Sequence, residues 1–200
     1  MTKKEIYITK RSGEKEILDL DTILTYAKSV AIDSWGKKCS PLDASTYKTR
    51  PEEEKNHNIY YGIHNAQFIE LPVNNKNFFP DKWFSIIKAK KERYIAKVFC
   101  TTPGNFEPPH KDFFPAFLGP TKADGSIWTQ EDITTQGKKI IRAWIPLMDA
   151  KLGHILYGDS YALTGWKKGD VYELPAGITH GFVNGGREDR YVLVFTSWRE

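Results

Sequence analysis

The stretch DVYELPAGITHGFVNGGREDRYVLVF, residues 170–195, carries the pattern from which the architecture of the chain can be predicted. Its two ends, residues 170–174 and 191–195, are short and rich in β-branched and aromatic residues, and turns that contain Gly or Pro separate them. Similar segments lie upstream, at residues 94–100, 140–147 and 155–157. Many short strands punctuated by such turns are typical of a β-sandwich or a jelly roll.

A candidate chelating pair lies in the segment Pro108-Pro109-His110-Lys111-Asp112. On an extended strand the side chains of His110 and Asp112 project from the same face, while Lys111 points away. His180 is the candidate third ligand. Two imidazoles and one carboxylate on one side of an octahedron leave open positions, as in non-haem Fe(II) oxygenases. Because a His-x-Asp pair is also common by chance, ordinary surface or core residues remain the alternative.

Arg190 lies ten residues after His180 (190 − 180 = 10) and is a candidate counter-ion for a dicarboxylic acid. Its guanidinium is a fixed planar fork that suits a carboxylate better than a lysine does. A jelly roll places consecutive strands in opposite sheets about 10 Å apart, so His180 and Arg190 could face each other across a cavity. A local hairpin through Asn184-Gly185-Gly186 is the competing geometry.

Four further elements follow one another in the C-terminal half: Arg142-Ala143-Trp144-Ile145-Pro146-Leu147, Trp166-x-x-Gly169, His180-x-x-x-Asn184 and Arg190. In this order they resemble the Fe(II)- and 2-oxoglutarate-dependent oxygenase superfamily, and within it the aspartyl/asparaginyl β-hydroxylase branch. The resemblance covers roughly residues 95 to 198. It implies a mainly β, double-stranded β-helix fold (jelly roll, cupin-like) with N-terminal helices packed on one sheet.

The resemblance also implies the roles of the site residues. His110, Asp112 and His180 would bind Fe(II), and Arg190 would pair with the distal carboxylate of the cosubstrate 2-oxoglutarate. Arg142 would support the metal-proximal end of that cosubstrate. Many relatives carry Arg-x-Ser here, whereas this chain has Val192 two residues after Arg190, so a second hydrogen bond to the carboxylate must come from another residue.

The implied activity is that of a dioxygenase. It would use O₂ and 2-oxoglutarate to hydroxylate an unactivated C–H bond, releasing succinate and CO₂. The expected substrate is an amino-acid side chain of a peptide or protein, or a small molecule. Two alternatives stay open: a cupin-like metalloenzyme that does not use 2-oxoglutarate, and a non-catalytic β-sandwich binding module.

Composition restricts the class of protein. The chain has 200 residues, 27% of them charged, a net charge of +4 and two cysteines. It contains no apolar stretch of the roughly 20 residues that cross a bilayer, no apolar signal core and no close cysteine spacing. We therefore expect a cytoplasmic protein with no membrane partner. The absence of a zinc finger or phosphate loop argues against a nucleic-acid partner.

The sequence predicts two regions: an N-terminal mixed α/β elaboration at residues 1–93 and an oxygenase core at residues 94–200, together forming one compact domain. The N-terminal region should contain a short hairpin, residues 6–9 with 16–18, and a helix capped by Asp21. A second helix should run from about residue 80 to residue 93, and residues 36–58 should form a polar loop.

A long substrate-selecting loop is predicted between the first ligand strand and the strand of Arg142, at residues 119–137. Phe113, Phe114 and Phe117 could form an apolar wall beside the metal, although core packing explains them equally well. The remaining histidines receive no ligand role: surface positions are expected for His57 and His64, and a structural position at the start of a strand for His154.

Overall fold

A computed structural model describes most of the C-terminal two thirds of the chain and parts of the N-terminal third. The described residues are 9–11, 18–30, 36–37, 67–72, 78–112, 114–119, 121–126 and 128–200.

The described residues form eleven strands and four helices. The strands are β1 (Thr9–Arg11), β2 (Gly36–Lys37), β3 (Gln67–Glu70), β4 (Ala89–Thr101), β5 (Phe106–His110), β6 (Ile140–Pro146), β7 (His154–Tyr157), β8 (Ala162–Leu163), β9 (Val171–Glu173), β10 (His180–Asn184) and β11 (Arg190–Arg199). The helices are α1 (Leu20–Ser29), α2 (Asp81–Ile87), α3 (Pro115–Leu118) and α4 (Gln130–Gly137).

The strands form two antiparallel sheets. The larger sheet has the order β1-β9-β6-β11-β4-β3-β2, and the smaller has the order β5-β10-β7-β8. The chain passes from the small sheet to the large one between β10 and β11, so consecutive strands lie in opposite sheets. The local hairpin through Asn184-Gly185-Gly186 is therefore not formed. The mainly β, double-stranded β-helix fold is confirmed.

The outer face of the large sheet is covered by α1 and α2. Phe195 of β11 is fully buried and contacts four aromatic rings on this side, with centroid distances of 5.3 to 5.8 Å to Phe79, Trp83, Phe84 and Tyr94. Ile23 and Ala27 of α1 belong to the same buried cluster. This arrangement confirms that N-terminal helices pack on one sheet.

A second apolar cluster fills the space between the two sheets. Trp144 of the large sheet is fully buried and stacks on Phe182 of the small sheet, with ring centroids 5.8 Å apart and an interplanar angle of 9°. Val192 and Val194 of β11 belong to this cluster, whereas Leu193 and Phe195 belong to the outer one. Because side chains alternate along a strand, Arg190 lies on the same face of β11 as Val192 and Val194, which is the face toward the small sheet.

The prediction of a helix from residue 80 to residue 93 is wrong in its second half. Helix α2 ends at Ile87, and Lys88 adopts a left-handed conformation with φ of 55°. The basic residues that follow belong to β4, where Ser197 of β11 donates its hydroxyl to the carbonyl groups of Lys90 and Arg93. Pairing with a long central strand thus prevails over the helix-forming character of this lysine-rich segment.

Two further boundaries differ from the predictions. The interval 119–137 is not loop throughout, because α4 forms its second half. A capping box between Thr129 and Asp132 starts this helix. Helix α1 begins two residues earlier than predicted, because its N-cap is Asp19 rather than Asp21, and the side chain of Asp19 accepts the N–H of Thr22 at 3.0 Å.

Several predictions concern residues outside the described ranges. They are the turn and most of the strands of the N-terminal hairpin, nearly all of the loop at residues 36–58, and the side chains of His57, His64 and Phe113. The division at residue 93 stays a prediction, although three strands N-terminal to it join the large sheet. Within the described part, no helix has the length and apolar character that crossing a bilayer requires.

Replacing Phe195 by Ala should lower the free energy of unfolding by about 3–5 kcal/mol, because it removes a buried ring and leaves a cavity under α2. Chemical denaturation followed by circular dichroism measures the change. Leu152, which is 95% exposed, offers a control. Its replacement by Ala should change the free energy by no more than about 0.5 kcal/mol. Equal effects in the two variants would contradict the packing described above.

Candidate metal centre

The pairing of β5 with β10 brings two histidines together. His110 lies directly opposite His180 in the antiparallel register, and their ring centroids are 4.4 Å apart. The next paired position joins Glu107 to Phe182, so three steps along β5 correspond to two along β10. β5 therefore contains a bulge at Pro108-Pro109. Since β5 is an edge strand of the small sheet, the missing proline N–H groups break no ladder on its outer side.

Three candidate ligands converge at this pair. One ligand atom from each of His110, Asp112 and His180 lies within 4.8 Å of the other two. The Nε2 atom of His180 is 3.4 Å from Oδ2 of Asp112, and Nε2 of His110 is 4.0 Å from Oδ1. All three side chains are largely shielded from solvent, with exposed fractions of 11%, 15% and 1%. Two imidazole nitrogens and one carboxylate oxygen suit a divalent first-row metal.

The imidazole of His180 is oriented by the backbone. Its Nδ1 atom is 3.2 Å from the carbonyl oxygen of Ile178. A carbonyl can only accept, so Nδ1 carries the proton and Nε2 is left as the basic nitrogen that faces Asp112. Outer contacts of this kind fix the tautomer of metal-binding histidines.

Arg142 contacts the carboxylate of the candidate set. Its Nη1 atom lies 2.8 Å from Oδ1 of Asp112, and the exposed fractions of the two side chains are 12% and 15%. The other oxygen, Oδ2, is the one nearer His180. The guanidinium therefore pairs with one carboxylate oxygen, while the other oxygen faces His180. The sequence resemblance assigned Arg142 to the cosubstrate, and the structure adds this contact with Asp112.

A fourth titratable residue, which sequence reasoning missed, lies beside the group. Glu107 is 3% exposed, and its Oε1 atom is 3.0 Å from Nε2 of His110. Residues three apart on a regular strand would point to opposite faces, but the bulge brings Glu107 and His110 to the same one. The double proline was the signal in the sequence that the alternation changes at this point.

Arg190 is a fully buried cation, 1% exposed, at the start of β11. Its Nη2 donates to Oγ1 of Thr101 at 2.8 Å, and its guanidinium carbon lies 4.4 Å from the ring centroid of Phe182. Nε and Nη1 have no hydrogen-bond partner, and no carboxylate among the described residues pairs with this side chain. Burial lowers the pKa of the Arg190 guanidinium to about 9, so it remains charged at neutral pH.

The ring of Phe182 contacts both a candidate metal ligand, His180, and the buried cation Arg190. It neighbours the imidazole of His180, with centroids 6.0 Å apart, and also lies under the guanidinium of Arg190. Thr101, the partner of Arg190, comes from the strand that pairs with β11. It is the second residue that sequence reasoning missed, because 89 positions separate the two in the chain. The candidate metal group and the buried cation therefore share the interior between the sheets.

The other candidate side chains have structural contacts. His154 starts β7, its ring nitrogens lie 3.3 Å from the N–H of Lys151 and 3.1 Å from the carbonyl of Glu188, and burial lowers its pKa. Phe114 and Phe117 pack with Ile140 in a small buried cluster, which agrees with core packing.

Comparisons with known proteins return similar solved structures only. No protein-family model matches the sequence, and no curated protein matches it significantly. The Cnp3 cupin domain of Schizosaccharomyces pombe is 13% identical over 66% of this chain, with a TM-score of 0.38, and the chain spans 64% of that domain's length. A cupin 2 conserved barrel domain protein from Salinispora arenicola is 16% identical over 81% of this chain and 89% of its own, with a TM-score of 0.36.

A predicted oxalate decarboxylase from Thermotoga maritima gives comparable values: 14% identity over 66% of this chain and 80% of its own, with a TM-score of 0.37. Similarities at this level carry no argument about activity. The assignment of the fold rests on the two sheets themselves, and the function has to be argued from the site.

Replacing Arg142 by Gln should weaken metal binding about 10–100-fold, because Asp112 loses the charged donor that orients it. Titration of the protein with Co(II), followed by calorimetry, measures this loss. Replacement of the exposed Arg187 by Gln serves as the control and should leave the affinity unchanged. Unaltered Co(II) affinity in the Arg142 variant would exclude an orienting role.

Proposed function

We propose that this chain is an Fe(II)- and 2-oxoglutarate-dependent dioxygenase that hydroxylates an unactivated C–H bond. The observation that carries the proposal is the pairing of a metal-ligand set with an unneutralised, buried guanidinium in one interior. His110, Asp112 and His180 supply the ligand atoms, and Arg190 supplies the cation.

The ligand set fits Fe(II) in number and kind. Two imidazoles and one carboxylate are the donor set of non-haem Fe(II) oxygenases, and His110, Asp112 and His180 would hold the metal with room for a chelating cosubstrate and dioxygen. When bound, iron and 2-oxoglutarate supply the oxidising chemistry, and the protein supplies binding and orientation. The Nδ1 contact of His180 with the carbonyl of Ile178 and the Arg142 contact with Asp112 hold two of the three ligands in position.

Arg190 fits the distal carboxylate of 2-oxoglutarate. A buried charge without a counter-ion is costly, and the N–H groups of Nε and Nη1, which have no partner among the described residues, can donate to an anion. A planar carboxylate can bind two N–H groups of a guanidinium at once. The hydroxyl of Thr101 accepts from Nη2, so its own proton is available as a donor. Thr101 thus provides the second hydrogen bond that Val192 cannot.

The apolar interior completes the cosubstrate site. The ring of Phe182 neighbours both His180 and Arg190 and would form part of the apolar wall along the methylene groups of a five-carbon diacid. Trp144, stacked on Phe182, closes the space between the sheets and excludes water. Exclusion of water strengthens the ion pair between the guanidinium and its anion.

The substrate that we propose is an amino-acid side chain of a peptide or protein. Support for this comes from the resemblance to the aspartyl/asparaginyl β-hydroxylase branch in the order of Arg142, His180, Asn184 and Arg190. The segment that follows Asp112 in the sequence, up to the start of α4, is the one that we propose selects the substrate, as loops beside a rigid site commonly do. A small-molecule substrate is the second possibility.

Succinate release measures the proposed activity. Fe(II)-loaded protein should convert 2-oxoglutarate to succinate, and a panel of peptides and amino acids should reveal the substrate by stimulating this conversion. A cupin-like metalloenzyme that does not use 2-oxoglutarate would bind the metal without releasing succinate. A binding module would take up no stoichiometric metal.

Replacing His180 by Ala should abolish Fe(II)-dependent succinate release, because one of the three ligands is lost, while the circular dichroism spectrum stays the same. His154 serves as a matched control, since it is equally buried but makes its hydrogen bonds to backbone groups and lies outside the group of candidate ligands. Its replacement by Gln should leave succinate release largely intact. Unchanged release from the His180 variant would refute its role as a ligand.

Replacing Arg190 by Gln should weaken 2-oxoglutarate binding at least tenfold and leave Co(II) affinity nearly unchanged, because the guanidinium contacts the distal carboxylate and not the metal. Replacement by Lys retains the charge and loses the planar fork, so an intermediate affinity is expected. Both affinities can be measured by calorimetry. Equal loss of metal and cosubstrate binding would count against the assignment.

A further inference from the structure

Asn184 ends the His180-x-x-x-Asn184 element, and the candidate metal group gives it no role. It is the last residue of β10, and its exposed fraction is 0%. Because side chains alternate along a strand, it lies on the same face of β10 as Phe182, which packs between the sheets. It is four residues from His180 (184 − 180 = 4), or about 13 Å along the strand. Asn184 therefore belongs to the end of the interior that is farther from the candidate ligands.

Three hydrogen bonds of Asn184 join turns at this end. Its backbone N–H donates to the carbonyl of Asn105 at 2.9 Å, and its own carbonyl accepts the N–H of Gly104 at 2.8 Å. The side-chain oxygen accepts the N–H of Gly186, two residues further along, at 3.1 Å. Asparagine often makes a bond of the last kind, because its short side chain can close a turn on the backbone.

The side-chain nitrogen of Asn184 makes two contacts of a different kind. Nδ2 donates to the carbonyl of Thr101 at 2.7 Å, in a buried hydrogen bond between residues 83 positions apart. It also donates to the carbonyl of Glu188 at 2.9 Å. A side-chain amide offers two N–H donors and an acceptor oxygen on one planar group. Asn184 thereby ties the end of β4 to the connection between β10 and β11, residues 185–189.

Both of these tied points border Arg190. Thr101 is the register partner of Arg190 between β4 and β11, and its hydroxyl is the one hydrogen-bond partner of the guanidinium among the described residues. Glu188 lies two residues before Arg190, in the connection that leads into β11. An arginine side chain has many rotamers, so its location in the interior depends on how firmly its neighbours are held.

We propose that Asn184 is a positioning residue for Arg190. Its amide holds the strand of Thr101 and the connection before β11 together, and so keeps the guanidinium in place for a carboxylate. A cation that is ordered before its ligand arrives binds the ligand more tightly than one that must first be ordered. This inference rests on the proposed function, in which the ligand is the distal carboxylate of 2-oxoglutarate.

The test separates positioning of the cation from closure of the turn. Asn184→Ser retains an oxygen that can accept the N–H of Gly186, but it lacks the amide that bonds both Thr101 and Glu188. Asn184→Ala loses all three side-chain contacts. Calorimetry measures the binding of Co(II) to the full chain and its variants. The Co(II)-loaded proteins are then titrated with 2-oxoglutarate and with 2-oxopentanoate, which has the same chain without the distal carboxylate.

We expect both Asn184 variants to bind 2-oxoglutarate about tenfold more weakly than the wild type. Their affinities for Co(II) and 2-oxopentanoate should be those of the wild type, because neither ligand reaches Arg190. In an Arg190→Gln background, Asn184→Ser should cause no further loss of 2-oxoglutarate affinity, since residues that act through one another are not additive. His154→Gln is the matched control. The ring of this buried residue lies 3.1 Å from the same Glu188 carbonyl, and its replacement should leave 2-oxoglutarate affinity nearly unchanged.

Equal losses for the two acids in the Asn184 variants would indicate a general disturbance of the site and overturn the inference. A further loss in the Arg190→Gln background, an equal loss in the His154 variant or wild-type behaviour of Asn184→Ser would also overturn it. Thermal unfolding reports whether each variant is folded, and the Ser variant decides the matter if the Ala variant is not. A wild-type protein that binds both acids equally would overturn the cosubstrate role of Arg190 as well, whereas a wild type that prefers 2-oxoglutarate leaves that role standing.

Discussion

The antiparallel pairing of β5 with β10 is the constraint on which the site depends. It places His110 opposite His180 and fixes the distance between their rings at 4.4 Å. Asp112 lies two residues beyond the end of β5, and its carboxylate is within 4.0 Å of both imidazoles. The next strand, β11, lies in the other sheet. Arg190 consequently faces the same interior from the opposite side.

The interior that results combines apolar packing with charged side chains that are wholly or largely shielded from solvent. Glu107 and Asp112 contact His110 and Arg142, respectively, while Arg190 has only a threonine hydroxyl as a hydrogen-bonding partner among the described side chains. Replacing buried ion pairs by apolar residues often stabilises a protein. The presence of these charges in one place therefore agrees with the ligand-binding role proposed above. The surrounding Trp144 and Phe182 supply the packing that the charged residues do not.

Much of this arrangement could be predicted from the sequence, and the failures have identifiable physical causes. The short alternating segments predicted the strands around residues 94–100, 140–147, 155–157, 170–174 and 191–195, and each of them contains a strand in the structure. The spacing of His110, Asp112 and His180 indicated a group that the fold brings together. Local patterns of this kind depend on the period of the backbone, which is readable from a single chain.

The features that were missed depend on long-range contacts or on a break in that period. Lys90 to Arg93 resemble the end of a helix, but pairing with β11 makes them part of a strand. Glu107 was overlooked because the bulge reverses the alternation of side chains. Thr101 meets Arg190 only through the register between β4 and β11. The contact of Arg142 with Asp112 likewise requires knowledge of how β6 lies relative to β5.

The two consecutive prolines of β5 have one more consequence. The outer edge of a sheet normally presents a row of N–H and C=O groups that a strand of another molecule can extend. Pro108 and Pro109 offer no N–H, and the bulge that they occupy distorts the remaining row. The same residues that set the geometry of the candidate metal centre thus make this edge of the small sheet a poor template for a strand of another molecule.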